Sequence, residues 1–209
     1  MLTYQVERCG FVSEHYYTPK PSVEHNRRII EDELRGRIFK FQTDAGVFSK
    51  AGIDYGSKLL INSLQLPMNA SVLDMGCGYG PIGLSAALIA TAGIVTMADV
   101  NERALQLAVD NAKLNQITNV RMVQSDLFAG LIDEVYTHIL TNPPIRAGKQ
   151  VVHQLFDEAY NHLQDHGELW IVIQKKQGAA SAFGKLEECF KKVDEIERSK
   201  GYRIIRATK

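Results

Sequence analysis

Apolar and polar residues along this chain follow two rhythms, and the changes of rhythm mark out its elements. Residues 28–34 and 37–43 place β-branched and aromatic side chains at strand spacing on either side of Arg35-Gly36. That pattern predicts a hairpin whose glycine takes a positive φ. A loop over 43–49 then leads to a helix at about 54–65, with Leu59, Leu60 and Leu64 on one face. From residue 71 onward short apolar runs alternate with longer amphipathic stretches. Strands are predicted at 71–74, 94–99, 120–124, 135–141 and 168–174, with helices at 81–90, 101–115, 150–163 and 179–190.

Continuous apolar strands interleaved with helices argue for βαβ units and a parallel sheet covered on both faces. The tail, 191–197 and 201–208 around Ser199-Lys200-Gly201, has a two-strand pattern, so the last strand is expected to enter antiparallel. The fold class is therefore α/β, Rossmann-like and mostly parallel. A length of 209 residues suits one well-buried domain. Residues 1–53 are expected to form an N-terminal extension and hairpin, and 54–209 the core. Within 1–26 only Tyr16-Tyr17-Thr18-Pro19-Lys20-Pro21 stands out, as a lead-in held by aromatic contacts or else a mobile arm.

Composition narrows the functional classes. Lys plus Arg and Asp plus Glu are both 24, so no global field draws the chain to nucleic acid. The balance is local, however: Arg198, Lys200, Arg203, Arg206 and Lys209 close the chain without an acid among them. They form either a solvated terminal hairpin or a rim for phosphates. Cys9, Cys77 and Cys189 are odd in number, scattered and without a CxxC pair, which argues against a disulfide framework or a zinc site. The start is too polar for a secretory signal. The most apolar stretch, 84–95, is shorter than the roughly 18 residues a membrane span needs. A cytoplasmic protein without metal or membrane is expected.

Two places carry candidate chemistry. The first is Val72-Leu73-Asp74-Met75-Gly76-Cys77-Gly78-Tyr79-Gly80, a strand that ends in an acid and turns through alternate glycines into a helix. Ligands of open α/β sheets settle at the carboxyl ends of the central strands, and glycine lets the backbone turn sharply and approach a ligand. Asp99 lies about twenty residues on, at the end of the next strand, where a carboxylate accepts ribose hydroxyls. Residues 78–83 also spell GxGxxG, but Asp74 opposes a pyrophosphate at the helix start and Pro81 removes a donor there. A cationic, phosphate-free nucleoside such as S-adenosylmethionine fits better, since a charge-assisted contact is worth about 1.5–3 kcal/mol. Ser125, Asp126 and Leu127 end the third strand of the alternating pattern, where Asp126 suits an adenine amine or a local Asx turn. Phe48 and Ser49 are candidates to cover the methionine end, with core packing as the alternative for Phe48.

The second place is Asn142-Pro143-Pro144-Ile145, which follows a strand to the same edge. The two prolines restrict the backbone and aim the Asn142 side chain and the Pro143 carbonyl. Both accept hydrogen bonds, so together they can hold a planar exocyclic amine and share the positive charge that grows as it attacks a methyl donor. Ile145 offers an apolar surface to a flat base. Arg146 and Lys149 follow, suited to a phosphate backbone or to a solvated turn.

These residues resemble the class I S-adenosylmethionine-dependent methyltransferases over nearly all of 14–209. The sharper resemblance is to the catalytic domain of the small-subunit (16S) ribosomal RNA guanine-N2 methyltransferases. It rests on Leu34-Arg35-Gly36, the lead-in 43–49, Asp54 and Gly56, residues 72–80, Asp99-Val100-Asn101 and Asn142-Pro143-Pro144. The resemblance implies a seven-stranded sheet with an antiparallel last pair, and methylation of a guanine N2 in ribosomal RNA or the small-subunit particle. It assigns Asp74, Gly76, Gly78 and Gly80 to the methionine portion, Asp99 to the ribose and Asp126 to the adenine, with Cys77, Val100 and Asn101 as further cofactor-binding candidates. Asn142 with Pro143 would take the target amine. Larger members carry a second, amino-terminal domain, and many have an aromatic residue at the position of Ile145. Rival readings are methylation of a protein glutamine or an adenine N6, a nicotinamide-dependent oxidoreductase, and a non-catalytic RNA-binding module.

Overall fold

The computed structural model describes residue 19 and residues 23–209. Cys9 and most of the lead-in at 16–21 lie outside the described residues. Strands β1 (Arg28–Leu34) and β2 (Arg37–Thr43) pair antiparallel with Leu34 opposite Arg37. Arg35 and Gly36, at φ 51 and 78, both take the left-handed conformation that suits the twist of a two-residue hairpin turn.

The main sheet has seven strands in the order β5-β4-β3-β6-β7-β9-β8. They are β3 (Ser71–Met75), β4 (Ile94–Asp99), β5 (Val120–Gln124), β6 (Tyr136–Thr141), β7 (Leu163–Gln174), β8 (Lys192–Ser199) and β9 (Tyr202–Thr208). From β5 to β7 all neighbours are parallel, and β9 is antiparallel to both β7 and β8. Because β3 is followed by β4 on one side and paired with β6 on the other, the strand order reverses between β3 and β6, where ligands of open α/β sheets bind.

Alternation along the strands divides the core into two layers. Val72, Val95, Met97, Leu140, Trp170 and Val172 pack with Leu60, Leu84 and Leu107 of α1 (Tyr55–Ser63), α2 (Pro81–Ile89) and α3 (Glu102–Leu114). Leu73, Ile139, Leu169 and Ile171 turn the other way, onto Leu155, Phe156 and Leu186 of α4 (Lys149–Asn161) and α5 (Ala179–Cys189). Phe39 and Phe41 of the hairpin join the first layer and are buried.

The observed elements follow the predicted ones to within about two residues at their ends, with one larger extension. Strand β7 begins at Leu163 rather than 168, with an irregular register between the pairs Tyr136–Leu163 and His138–Glu168. The added residues 164–166 are polar and exposed, so nothing in their pattern distinguishes them from a loop.

Candidate active site

The chain leaves β3 through a loop that the neighbouring strand holds in place. Gly76 and Cys77 donate their backbone N–H groups to the Ala98 carbonyl at 2.8 and 3.0 Å. Gly76, Gly78 and Gly80 take φ values of 73, 57 and 105, a conformation that side chains disfavour. A Cβ added at Gly76 or Gly78 would meet nothing within 4 Å, so that surface of the loop is open to a ligand. The Gly78 N–H donates to Asp99 Oδ2 at 2.8 Å, and Asn101 N–H donates to Asp99 Oδ1 at 2.9 Å. Asp99 thereby stands at the end of β4 with both oxygens oriented.

Asp74 is wholly buried. Its Oδ2 accepts the Gly83 N–H at 2.7 Å in the first turn of α2, while its Oδ1 has no hydrogen-bond partner among the described residues. Gly83 is what lets the helix come so close, since a Cβ there would sit 2.7 Å from Met97 Cγ and 2.9 Å from Asp74 Oδ2. Burial pushes the Asp74 carboxyl up to about 7, the Gly83 N–H pulls against this, and the charge of Asp99 adds to it. Burial also raises Asp99, against the three backbone N–H groups directed at it. Neither acid forms an ion pair among the described residues. A buried carboxylate without a compensating charge is costly, so this acidic pocket is one that a cationic ligand stabilises and a pyrophosphate does not.

The Asn-Pro-Pro corner stands beside this loop. Met75 pairs with Thr141 across β3 and β6, and Thr141 Oγ1 donates to the Met75 carbonyl at 2.8 Å. Gly76 and Asn142 therefore leave adjacent strands side by side. Pro144, at φ −75 and ψ 74, is the centre of an inverse γ-turn closed by Ile145 N–H to the Pro143 carbonyl at 2.8 Å. The half-buried Asn142 donates from Nδ2 to Ser57 Oγ at 3.1 Å and faces Asp54 Oδ1 and Oδ2 at 3.4 and 3.5 Å.

The remaining expected residues sort by what holds them. Asn101 caps α3, accepting from the N–H groups of Arg103 and Ala104, and ties the lead-in by donating to the Gly46 carbonyl at 2.9 Å. Val100 receives Gln124 Nε2 on its carbonyl at 3.2 Å. Ser125 is buried and its hydroxyl is engaged with the Leu127 carbonyl and the Gly130 N–H, whereas Asp126 is exposed. Leu127 sits at φ 46. Phe48 is 40% exposed, and the Ser49 carbonyl accepts the Tyr79 hydroxyl at 3.4 Å, joining the lead-in to the glycine loop. Cys77 is buried, which raises its thiol well above the usual range and makes it inert packing. Arg146 and Lys149 are exposed on the short turn after Pro144 and at the start of α4.

The basic end of the chain is mostly engaged within the protein. Arg198 and Arg203 pair with Glu195, and Arg206 pairs with Asp194 and Glu168. Lys209 donates to the Leu163 carbonyl at 2.7 Å, and Lys200 lies 4.6 Å above the Tyr55 ring. Of the two readings of this run, these pairings favour structural charges over a free phosphate rim. Asp54 and Ser57 flank the Asn-Pro-Pro corner; the resemblance includes Asp54, and Ser57 is not among the residues the sequence singles out. The signal was present in the Asp-x-x-Ser spacing of an N-cap, for Asp54 Oδ1 accepts the Ser57 N–H at 3.1 Å.

Five parallel strands, a final antiparallel hairpin, a glycine loop after the first strand of the sheet and an acid ending the second define the class I S-adenosylmethionine-dependent methyltransferase fold. The chain belongs to the methyltransferase small domain family, whose description matches residues 38–206. It is 53% identical to the YbxB protein of Bacillus subtilis (strain 168) over 200 residues, 95% of this chain and 100% of that one. It is 29% identical over 189 residues to the ribosomal RNA large subunit methyltransferase G of Psychromonas ingrahamii, 85% of this chain and 48% of that enzyme. Among solved structures, a T. thermophilus 16S ribosomal RNA guanine-N2 methyltransferase in complex with AdoMet and guanosine superposes with a TM-score of 0.80 at 23% identity. That match covers 90% of this chain and 52% of the other. The chain thus spans about half the length of the named ribosomal RNA enzymes it resembles.

Proposed function

We propose that this protein methylates an exocyclic amine of RNA, namely N2 of a guanine in small-subunit ribosomal RNA. The observation that carries the reading is the pairing of Met75 with Thr141, which sets an acidic glycine loop and an Asn-Pro-Pro corner on adjacent strands. One is suited to a cationic methyl donor and the other to a planar amine. The ribosomal RNA activity named for the Psychromonas relative supports RNA as the substrate, over the half of that enzyme that this chain matches.

S-adenosylmethionine, when bound, supplies an electrophilic methyl group on a positively charged sulfur. The residues present fit it: the Asp74 Oδ1 that no described residue pairs, the oriented carboxylate of Asp99 and the open faces of Gly76 and Gly78. In this reading Asp99, with Val100 and Asn101 behind it, accepts the ribose hydroxyls. Asp126, between Ser125 and Leu127, accepts the adenine amine. Gly76, Cys77, Gly78 and Gly80 line the methionine portion under Phe48 and Ser49. Asn142 Oδ1 and the Pro143 carbonyl accept the two N–H groups of the target amine, which turns its lone pair toward the donor. They then stabilise the charge that develops on nitrogen. Pro144 holds the turn, Ile145 supports the base, and Arg146 and Lys149 meet the RNA backbone. Positioning provides most of the acceleration, because holding two reactants in line removes much of the entropic barrier. No strong base is needed, as the methylated ammonium is acidic enough to release its proton to water.

Incubating the protein with labelled methyl donor and total RNA, separating the two subunit RNAs and digesting each to nucleosides tests this directly. Label is expected in N2-methylguanosine from the small-subunit RNA. Label in N6-methyladenosine or in large-subunit RNA replaces the substrate assignment. Asn142→Ala is expected to abolish incorporation while leaving calorimetric affinity for S-adenosylhomocysteine unchanged.

A further inference from the structure

We propose that Asp54 and Ser57 are positioning residues that fix which end of the Asn142 carboxamide meets the substrate. The inference rests on the amine-methylation reading above, and it concerns a contact between α1 and the corner that follows β6. A carboxamide has two orientations related by a half-turn, one presenting an oxygen and the other two N–H donors. A target amine also presents N–H donors, so only the oxygen-forward orientation binds it. Nothing within the corner itself chooses between the two, because the prolines aim the Cα–Cβ bond and leave the terminal torsion broad.

The choice comes from α1. Asn142 Nδ2 lies 3.1 Å from Ser57 Oγ and 3.4 and 3.5 Å from the two Asp54 oxygens. A carboxylate is acceptor-only, so it can face the amide nitrogen and repels the amide oxygen. The reversed orientation would set Oδ1 against both carboxylate oxygens at that distance. Asp54 is itself held, because its Oδ1 also accepts the Ser57 N–H at 3.1 Å as the cap of α1. The helix start has no room to drift toward β9, since a Cβ on Gly56 would come within 2.8 Å of the Tyr202 ring. Tyr55 OH reaches Ser199 Oγ at 2.7 Å on the same side. One carboxylate thus terminates a helix and sets the polarity of the target-binding amide.

Asp54→Ser separates these two duties. Serine caps a helix about as well as aspartate but is too short to hold a charge against Asn142. Asp54→Asn is the conservative companion, near in shape and able to offer one amide oxygen. Both variants are expected to keep the wild-type Tm, donor affinity and KM for RNA. Asp54→Ser should lose about tenfold to a hundredfold in kcat, the size of effect a misplaced reacting group produces, and Asp54→Asn should lose less. A kcat within twofold of wild type for Asp54→Ser at unchanged Tm overturns the proposal. The Asn142 side-chain NH2 resonance gives a second readout that needs no turnover. Its protons should exchange slowly with water in the wild type and faster in Asp54→Ser; equal exchange overturns the proposal. If the wild type transfers methyl groups to no amine, the amine-methylation reading fails and this exchange measurement alone decides the positioning role.

Discussion

Asn111 Nδ2 donates to the Tyr79 carbonyl at 2.8 Å, and through that bond α3 ties the glycine loop to the N-terminal hairpin. The same carboxamide pairs with the backbone of Gln42, accepting its N–H at 2.6 Å and donating to its carbonyl at 3.0 Å. One turn later Asn115 repeats the pairing on Lys40, at 3.1 and 2.7 Å. Lys40 and Gln42 direct these groups away from β1, so the two asparagines act as a third strand along the open edge of β2. That protects an edge otherwise free to recruit another chain, and it supports a two-stranded sheet that is marginal alone.

Asn111→Ala is therefore expected to cost about 2–4 kcal/mol, because it leaves the buried Tyr79 carbonyl and the half-buried backbone groups of Gln42 without this partner. For a chain of this size that corresponds to a Tm lower by roughly 5–15 °C in calorimetry. Donor affinity should weaken as well, since Tyr79 belongs to the loop. An unchanged Tm would mean that water replaces the carboxamide.

Asp99→Ala tests the second carboxylate. With both oxygens already oriented by Gly78 and Asn101, the carboxylate suits a ribose. Losing charge-assisted bonds of that kind should weaken the binding of S-adenosylhomocysteine by about 1.5–3 kcal/mol, roughly tenfold to 150-fold in Kd. Equal affinity by isothermal calorimetry would remove Asp99 from contact with the ligand.

Arg146 and Lys149 are exposed next to the Asn-Pro-Pro corner. If each meets one phosphate of single-stranded RNA, replacing both with alanine should reduce the slope of log K against log salt by about 1.4. Filter binding across a salt series measures it, and an identical slope would return both residues to ordinary surface.

These sites differ in how far the chain announces them. Strands β3, β4 and β6 are buried on both faces, so unbroken apolar runs such as 72–73 and 139–140 disclose them. The glycine loop is equally plain, because its left-handed backbone and its neighbouring acids are local features. The hidden features depend on a partner distant in sequence. Asn111 and Asn115 look like the polar face of an amphipathic helix, and only the folded hairpin reveals that they pair with Gln42 and Lys40. Arg206 looks like a free cation until β8 and β7 bring Asp194 and Glu168 beside it. Asp54 marks only the start of a predicted helix, and its contact with Asn142 exists because β6 delivers that residue to it.

The Asp74 carboxyl, pushed up to about 7 by burial, makes stability depend on pH in a defined direction. Between its unfolded value of 3.8 and about 7 the folded state holds a proton that the unfolded chain has released. Stability from this group is thus fully present below pH 3.8 and is lost as pH rises through about 7. A rise of that size is worth roughly 4 kcal/mol. Asp74→Asn keeps the acceptor for the Gly83 N–H and removes the titration. The variant should exceed the wild type in urea stability at pH 8, and the gap should narrow toward pH 5. A cation bound above the loop lowers the same pKa by linkage, so donor binding to the wild type should release a proton near neutrality. Calorimetry in two buffers of different ionisation enthalpy would report that release for the wild type and a smaller one for Asp74→Asn. Parallel stability curves for the two proteins from pH 5 to 8 would show that Asp74 is ionised throughout.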